Sequence, residues 1–205
     1  MKRAGLTRKR RARPKRYRRS FIVPRPGEVV PVDIQFVPYR VEGRRFDCCT
    51  RLRIVQFSEE MGNHVSKAFI PYVLSTFPFR IVQTDNDTPF TNGYTAASKP
   101  PLDRPLKNHP FTAMCERFAA SHRLIPPRTP RLNGKVERSH QTDEEEFYRL
   151  HPYATQTDLK RAFARWLWHY NHTRLHMGVG GKTPIQVLQG FPEYVPIKQL
   201  RCHPC

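Results

Sequence analysis

The sequence predicts a mixed α/β domain, a single sheet flanked by helices. Two observations carry that prediction. Val29–Val37 (VVPVDIQFV) alternates, with Val30, Val32, Ile34 and Phe36 on one face and Asp33 and Gln35 on the other, the period of a strand. Further on, strand-like and helix-like segments alternate before the chain ends in helices alone, the order expected of a mixed sheet covered by helices.

Taken in order, residues 1–24 form a basic arm, 25–190 the core, and 191–205 a tail. After Val29–Val37, Glu42-Gly43 reads as a turn and Arg51–Phe57 (RLRIVQF) as a second strand. A helix over about 63–76 follows from Val65, Ala68, Phe69, Tyr72 and Val73, with Pro71 inside it at a cost of about 3 kcal/mol or a kink. Phe79–Gln83 is a short strand, and residues 91–109, with KPPLDRP at their centre, are a surface loop. Phe111, Met114, Cys115 and Phe118 mark a helix over about 110–120, followed by a strand at Arg123–Ile125. The basic proline loop Pro126–Gly134 opens a helix running to about Leu150. The next helix, Asp158–Tyr170, has Thr157 as N-cap and Leu159, Phe163, Trp166 and Tyr170 inside. The last begins at Thr183, with Pro184 at N1 and Gln186 completing a capping box.

Charge narrows the partners. Lys and Arg number 36 against 17 Asp and Glu, a formal net charge of +19. Eleven of these cations fall in the first 20 residues, which contain no acid. Such a run repels itself and reads as a disordered arm whose natural partner is a polyanion, through counterion release. Arg10, Arg11, Lys15 and Arg16 are its candidate DNA contacts. The remainder is still +8, which favours nucleic acid over a membrane surface. No apolar run reaches the length of a membrane span, and no apolar stretch makes a secretory signal of the basic N-terminus. Five cysteines, two adjacent (Cys48, Cys49), make no disulfide framework and fit a reducing, cytoplasmic setting. Cys202, His203 and Cys205 have zinc-like spacing but lack a second ligand pair.

Three acids stand out by context. Asp33 lies in mid-strand, where aspartate is disfavoured; Asp85 ends a strand; Glu137 is in the first turn of a helix after the basic loop. Singly, each has an ordinary explanation: a solvent-facing strand residue, an Asx-turn, an acid favoured by the helix dipole. Together on a cationic chain they make the donor set Mg²⁺ prefers, and a two-ion site clamps both oxygens of a phosphoryl displacement. Lys135 and Arg138 flank Glu137 and are candidate contacts to DNA phosphates. His140, one turn on, is a candidate to orient water or phosphate. Arg174 is a candidate DNA contact, within a group with Asn171 and His176 whose favoured role is capping and packing.

The blocks VDIQFVP, VQTDND, PPRTPRLNGKVERSHQTDEEEFY and WHYNHTRLHMGVGGKTP resemble the integrase catalytic core shared by retroviral-type integrases and bacterial insertion-sequence transposases. The resemblance spans Pro26 to Leu188 and is most specific around Glu137. It implies a ribonuclease-H-like fold and a DDE triad of Asp33, Asp85 and Glu137 holding two Mg²⁺ or Mn²⁺ ions. Enzymes of this family nick DNA in a metal-dependent hydrolysis, then use the freed 3′-hydroxyl to attack a target phosphodiester without a covalent protein intermediate. The implied partners are element ends and target DNA, a homo-oligomer, and a separate helix-turn-helix protein for end recognition, at the nucleoid of a bacterial cytoplasm.

The chain also departs from that pattern. RRFDCCTRLR leaves room for only a stub where the family has a full second strand, Asp87 stands where glycine is usual, and 52 positions separate Asp85 from Glu137. The alternative is therefore an inactive or truncated transposase remnant that only binds DNA.

Overall fold

The structure, a computed structural model, describes residues 23–37, 40–46, 50–58, 68–73, 77–92, 109–126, 132, 134–150 and 153–192. Five strands form one sheet: β1 (Val29–Val37), β2 (Arg40–Phe46), β3 (Arg53–Ser58), β4 (Ile81–Thr84) and β5 (Ser121–Leu124), in the spatial order β3-β2-β1-β4-β5. The first three are antiparallel, whereas β4 and β5 run parallel to β1.

The alternation in β1 sorts the two faces. Val30 and Val32 join Val82 of β4 in a core with Phe69, Ile70, Phe111 and Cys115. Val37, Val55 and Phe57 face a second apolar cluster built on Phe147, Leu159 and Phe163. The first cluster draws on α1 (68–73) and α2 (Pro110–Arg117), the second on the helices that carry the candidate site. These are α3 (Gly134–Asp143), its continuation as a π-helical turn (Glu144–Tyr148), and α4 (Gln156–His172); α5 (Pro184–Leu188) closes the described chain.

The second strand is not a stub. β2 has seven residues and is paired along its length on both sides, with Glu42 opposite Gln35 and Phe57 and Gly43 opposite Ile34 and Gln56. The expected turn at Glu42-Gly43 is thus mid-strand, and the RLRIVQF segment is the third strand. RVEGRRF is charged and carries a glycine, so its strand propensity is poor; pairing with two neighbours overrides it.

Smaller differences have local causes. In α1 Phe69, Ile70 and Val73 are buried while Ala68 and Tyr72 are exposed, so the inner face is rotated from the expected one. Pro71 is within this helical segment, half-buried. α2 ends at Arg117, leaving Phe118 as an exposed C-cap, and begins on His109, whose Nδ1 accepts from Phe111 N–H at 3.2 Å. α4 starts two residues early because Thr155, not Thr157, caps it, with Oγ1 accepting from Asp158 N–H at 3.1 Å. The capping box at Thr183 and Gln186 forms as expected.

Two connections position the strands that bear the aspartates. Gly27, just before β1, has φ +67 and lies so close to the β4 lead-in that an added Cβ would stand 2.3 Å from Pro78 O. Its carbonyl accepts from Arg80 N–H at 2.8 Å, fixing the register between β1 and β4. Glycine is required there both by the left-handed backbone and by that approach.

Candidate active site

β1 and β4 are in parallel register, with Pro31 opposite Gln83. Asp33 and Asp85 each lie two residues further along, so both point to the face covered by α3. Asp33 is 15% exposed; its Oδ1 accepts from Ile34 N–H at 2.9 Å and its Oδ2 from His140 Nε2 at 2.8 Å. Asp85 stands just past the end of β4, half-buried, with Oδ1 accepting from Asp87 N–H at 3.1 Å. The Asx-turn considered for Asp85 is therefore present, and it leaves the carboxylate beside Asp33.

The charge of Asp33 is felt at Asp85. Burial raises Asp85 from 3.8 to about 6; the Asp87 N–H works against that rise, and the negative charges of Asp33 and Asp87 add to it. A pair of part-buried acids is a donor set suited to a divalent cation. Glu137 is on the exposed side of the first turn of α3, three residues before His140. Among the described residues no group of three or more His, Cys, Asp or Glu side chains forms that could hold a metal ion.

The other expected contacts are dispersed. Lys135 is half-buried at the start of α3. Arg138 is exposed, and its Nη1 donates to Gln141 Oε1 at 3.0 Å, while Gln141 Nε2 donates to Glu145 Oε1 at 2.6 Å along the same helix. Arg174 grips Glu146 with two nitrogens, Nε at 2.8 Å and Nη2 at 2.5 Å. His140 is drawn inward to β1, its Nδ1 hydrogen-bonded to Gln35 Oε1. Arg10, Arg11, Lys15, Arg16, Cys202, His203 and Cys205 lie outside the described residues. Asp87 is exposed and is not among the residues with positive φ, so this position makes no demand for glycine.

A buried network holds α3 in place. Arg53 of β3 pairs with Asp143 and donates from Nη2 to Ser139 O at 3.0 Å. Its guanidinium lies 3.5 Å over the Tyr170 ring, and Trp166 Nε1 donates to Asp143 at 2.8 Å. Asn171 accepts from Arg53 N–H at 3.0 Å and donates to Arg53 O at 2.9 Å, completing the backbone of the edge strand. The favoured packing role for the Asn171 group is what this geometry shows. Arg53, Asp143 and Gln35 were missed; the readable signal for Gln35 was a second polar residue on the Asp33 face of β1.

Residues 119–184 match the family model described as integrase core domain. The sheet and its helices superpose on a chain of the simian T-cell lymphotropic virus intasome with a TM-score of 0.64, at 17% identity over 82% of this chain and 56% of that one. The catalytic core domain of BIV integrase gives 0.59, at 17% identity over 80% of this chain and 95% of that one. The chain has the fold of an integrase catalytic core. Its fold is the ribonuclease-H-like α/β arrangement expected from the sequence. The HTLV-2 integrase catalytic core domain, described in complex with magnesium in a dimeric form, has a TM-score of 0.55 at 17% identity, covering 82% of this chain and 99% of that one. A curated relative, the integrase candidate ORF3 of Spiroplasma virus SpV1-C74, is 28% identical over 110 residues. That match takes in 54% of this chain and 29% of the relative's length.

Proposed function

We propose that the chain is an integrase-type core, a DDE polynucleotidyl transferase that nicks DNA and joins the freed 3′-hydroxyl to a target strand. The observation that carries this is the juxtaposition of Asp33 and Asp85 at the end of two parallel strands, beneath the helix that bears Glu137. Asp33, Asp85 and Glu137 are the residues that would hold Mg²⁺ or Mn²⁺, two ions in the family pattern. When bound, the metal supplies charge stabilisation to the pentavalent phosphate and its entering and leaving oxygens. The chain's own part is to present carboxylates on a rigid sheet and to hold the polymer by its positive charge. Lys135 and Arg138 reach toward phosphates beside the site, the basic residues of 1–24 serve as a DNA-binding arm on core 25–190, and 191–205 form a tail.

The partners in this reading are element ends and target DNA in a bacterial cytoplasm, a second copy of the chain, and a helix-turn-helix protein for end recognition. The intasome and dimeric relatives support assembly on DNA in more than one copy. The second reading, a DNA-binding remnant without turnover, draws on the lack, among the described residues, of a preformed group of three metal-binding side chains.

Purified protein should nick or join DNA with Mg²⁺ or Mn²⁺ and not with EDTA, and Glu137→Gln should reduce product to background. Wild type and variant equally inert while both still bind DNA would establish the remnant reading. Equal activity in both would remove Glu137 from the triad.

A further inference from the structure

We propose that His140 is a positioning residue for Asp33, held in turn by Gln35, and that this relay sets how well the aspartate pair takes a divalent cation. The inference rests on the metal-site reading above. Its basis is geometric. His140 Nε2 donates to Asp33 Oδ2 at 2.8 Å, and Nδ1 is bonded to Gln35 Oε1, so the imidazole spans two side chains on one face of β1. With Ile34 N–H on Oδ1, both oxygens of Asp33 are oriented by named donors.

The ring has little freedom to leave. His140 and Asp33 are 16% and 15% exposed, so few waters can replace either bond. The backbone under His140 is pinned as well, because the carbonyl of Ser139 accepts from Arg53 and Asp143 pairs with the same guanidinium. Outer partners that orient a ligating group are worth 10- to 100-fold in metal affinity. A lone surface histidine would have no such lever, and Gln35 has no other assigned use on a face otherwise given to packing.

Mn²⁺ titration of the full chain, with free Mn²⁺ followed by electron paramagnetic resonance, tests this without reference to turnover. Asp33→Asn should remove the tight binding. His140→Ala should weaken it about 10- to 100-fold, and His140→Gln, which restores an N–H at similar reach, should recover much of the loss. Gln35→Ala, which leaves α3 untouched, should weaken binding in the same direction by less, and serves if the alanine variant at 140 does not fold. Thermal melting of each variant separates affinity from unfolding. Unchanged or tighter Mn²⁺ binding in folded His140→Ala and Gln35→Ala, with Asp33→Asn still defective, overturns the relay alone. Wild-type binding in Asp33→Asn overturns the metal site and the relay with it.

Discussion

Arg53 and Asp143 are both almost wholly removed from water, at 1% and 0% exposure of their side chains. Two charges in such a place are tolerable only because each is bonded on several sides: Asp143 by Trp166 Nε1, Arg53 by Ser139 O and the Tyr170 ring. Removing one partner leaves the other charged and uncompensated. Asp143→Ala should therefore destabilise the fold by about 3–5 kcal/mol, measured by urea unfolding, and the double change Arg53→Met with Asp143→Leu should recover a large part. None of this was readable from the sequence. Arg53 and Asp143 are 90 residues apart, and each alone reads as one more charge on an exposed face. Asp33, Asp85 and Glu137 stood out in the sequence only as a set, each alone having an ordinary explanation; His140 was legible as a candidate, but its turn toward β1 was not.

Two histidines tie elements together in neutral form. His176 accepts at Nδ1 from Arg174 Nη1 at 3.2 Å and donates from Nε2 to Tyr170 O at 3.3 Å, linking the loop after α4 back to that helix. Burial, with the charges of Arg174, Arg53 and Arg51 added, lowers it from 6.5 to about 4. His122 of β5 bridges Thr84 of β4 at 2.9 Å and Thr112 of α2 at 2.8 Å, and burial likewise lowers it to about 4. A histidine whose folded value lies below its unfolded one adds stability above the unfolded value and loses it as pH falls toward the folded one. Melting temperature should thus fall on acidification from about 6.5 to about 4. His176→Gln should flatten part of the fall. Asp85, raised to about 6, works the other way in the same window, so two histidines outweigh one carboxylate. At this scale the sequence was a fair guide wherever periodicity was strong, as in β1, α2 and α4. It failed at β2, where charge and a glycine concealed a strand whose pairing partners lie on both sides, and it misplaced the α4 cap because two threonines compete within three residues.

Over the whole molecule a formal net charge of +19 favours association with a polyanion. Binding to duplex DNA should be insensitive to sequence and fall steeply between 50 and 200 mM salt, with a log–log slope of about −0.9 per phosphate neutralised. Fluorescence anisotropy should show a shallower slope once residues 1–20, with their eleven cations, are removed. A slope unchanged by that deletion would place the contacts on the core. The edge network ties distant positions into a single unit. Arg53, Asp143, Trp166 and Asn171 each hold another member of the set, so a substitution at any of them strands a buried charge or an edge-strand backbone group. The four positions therefore act as one fastening for the helix that carries Glu137.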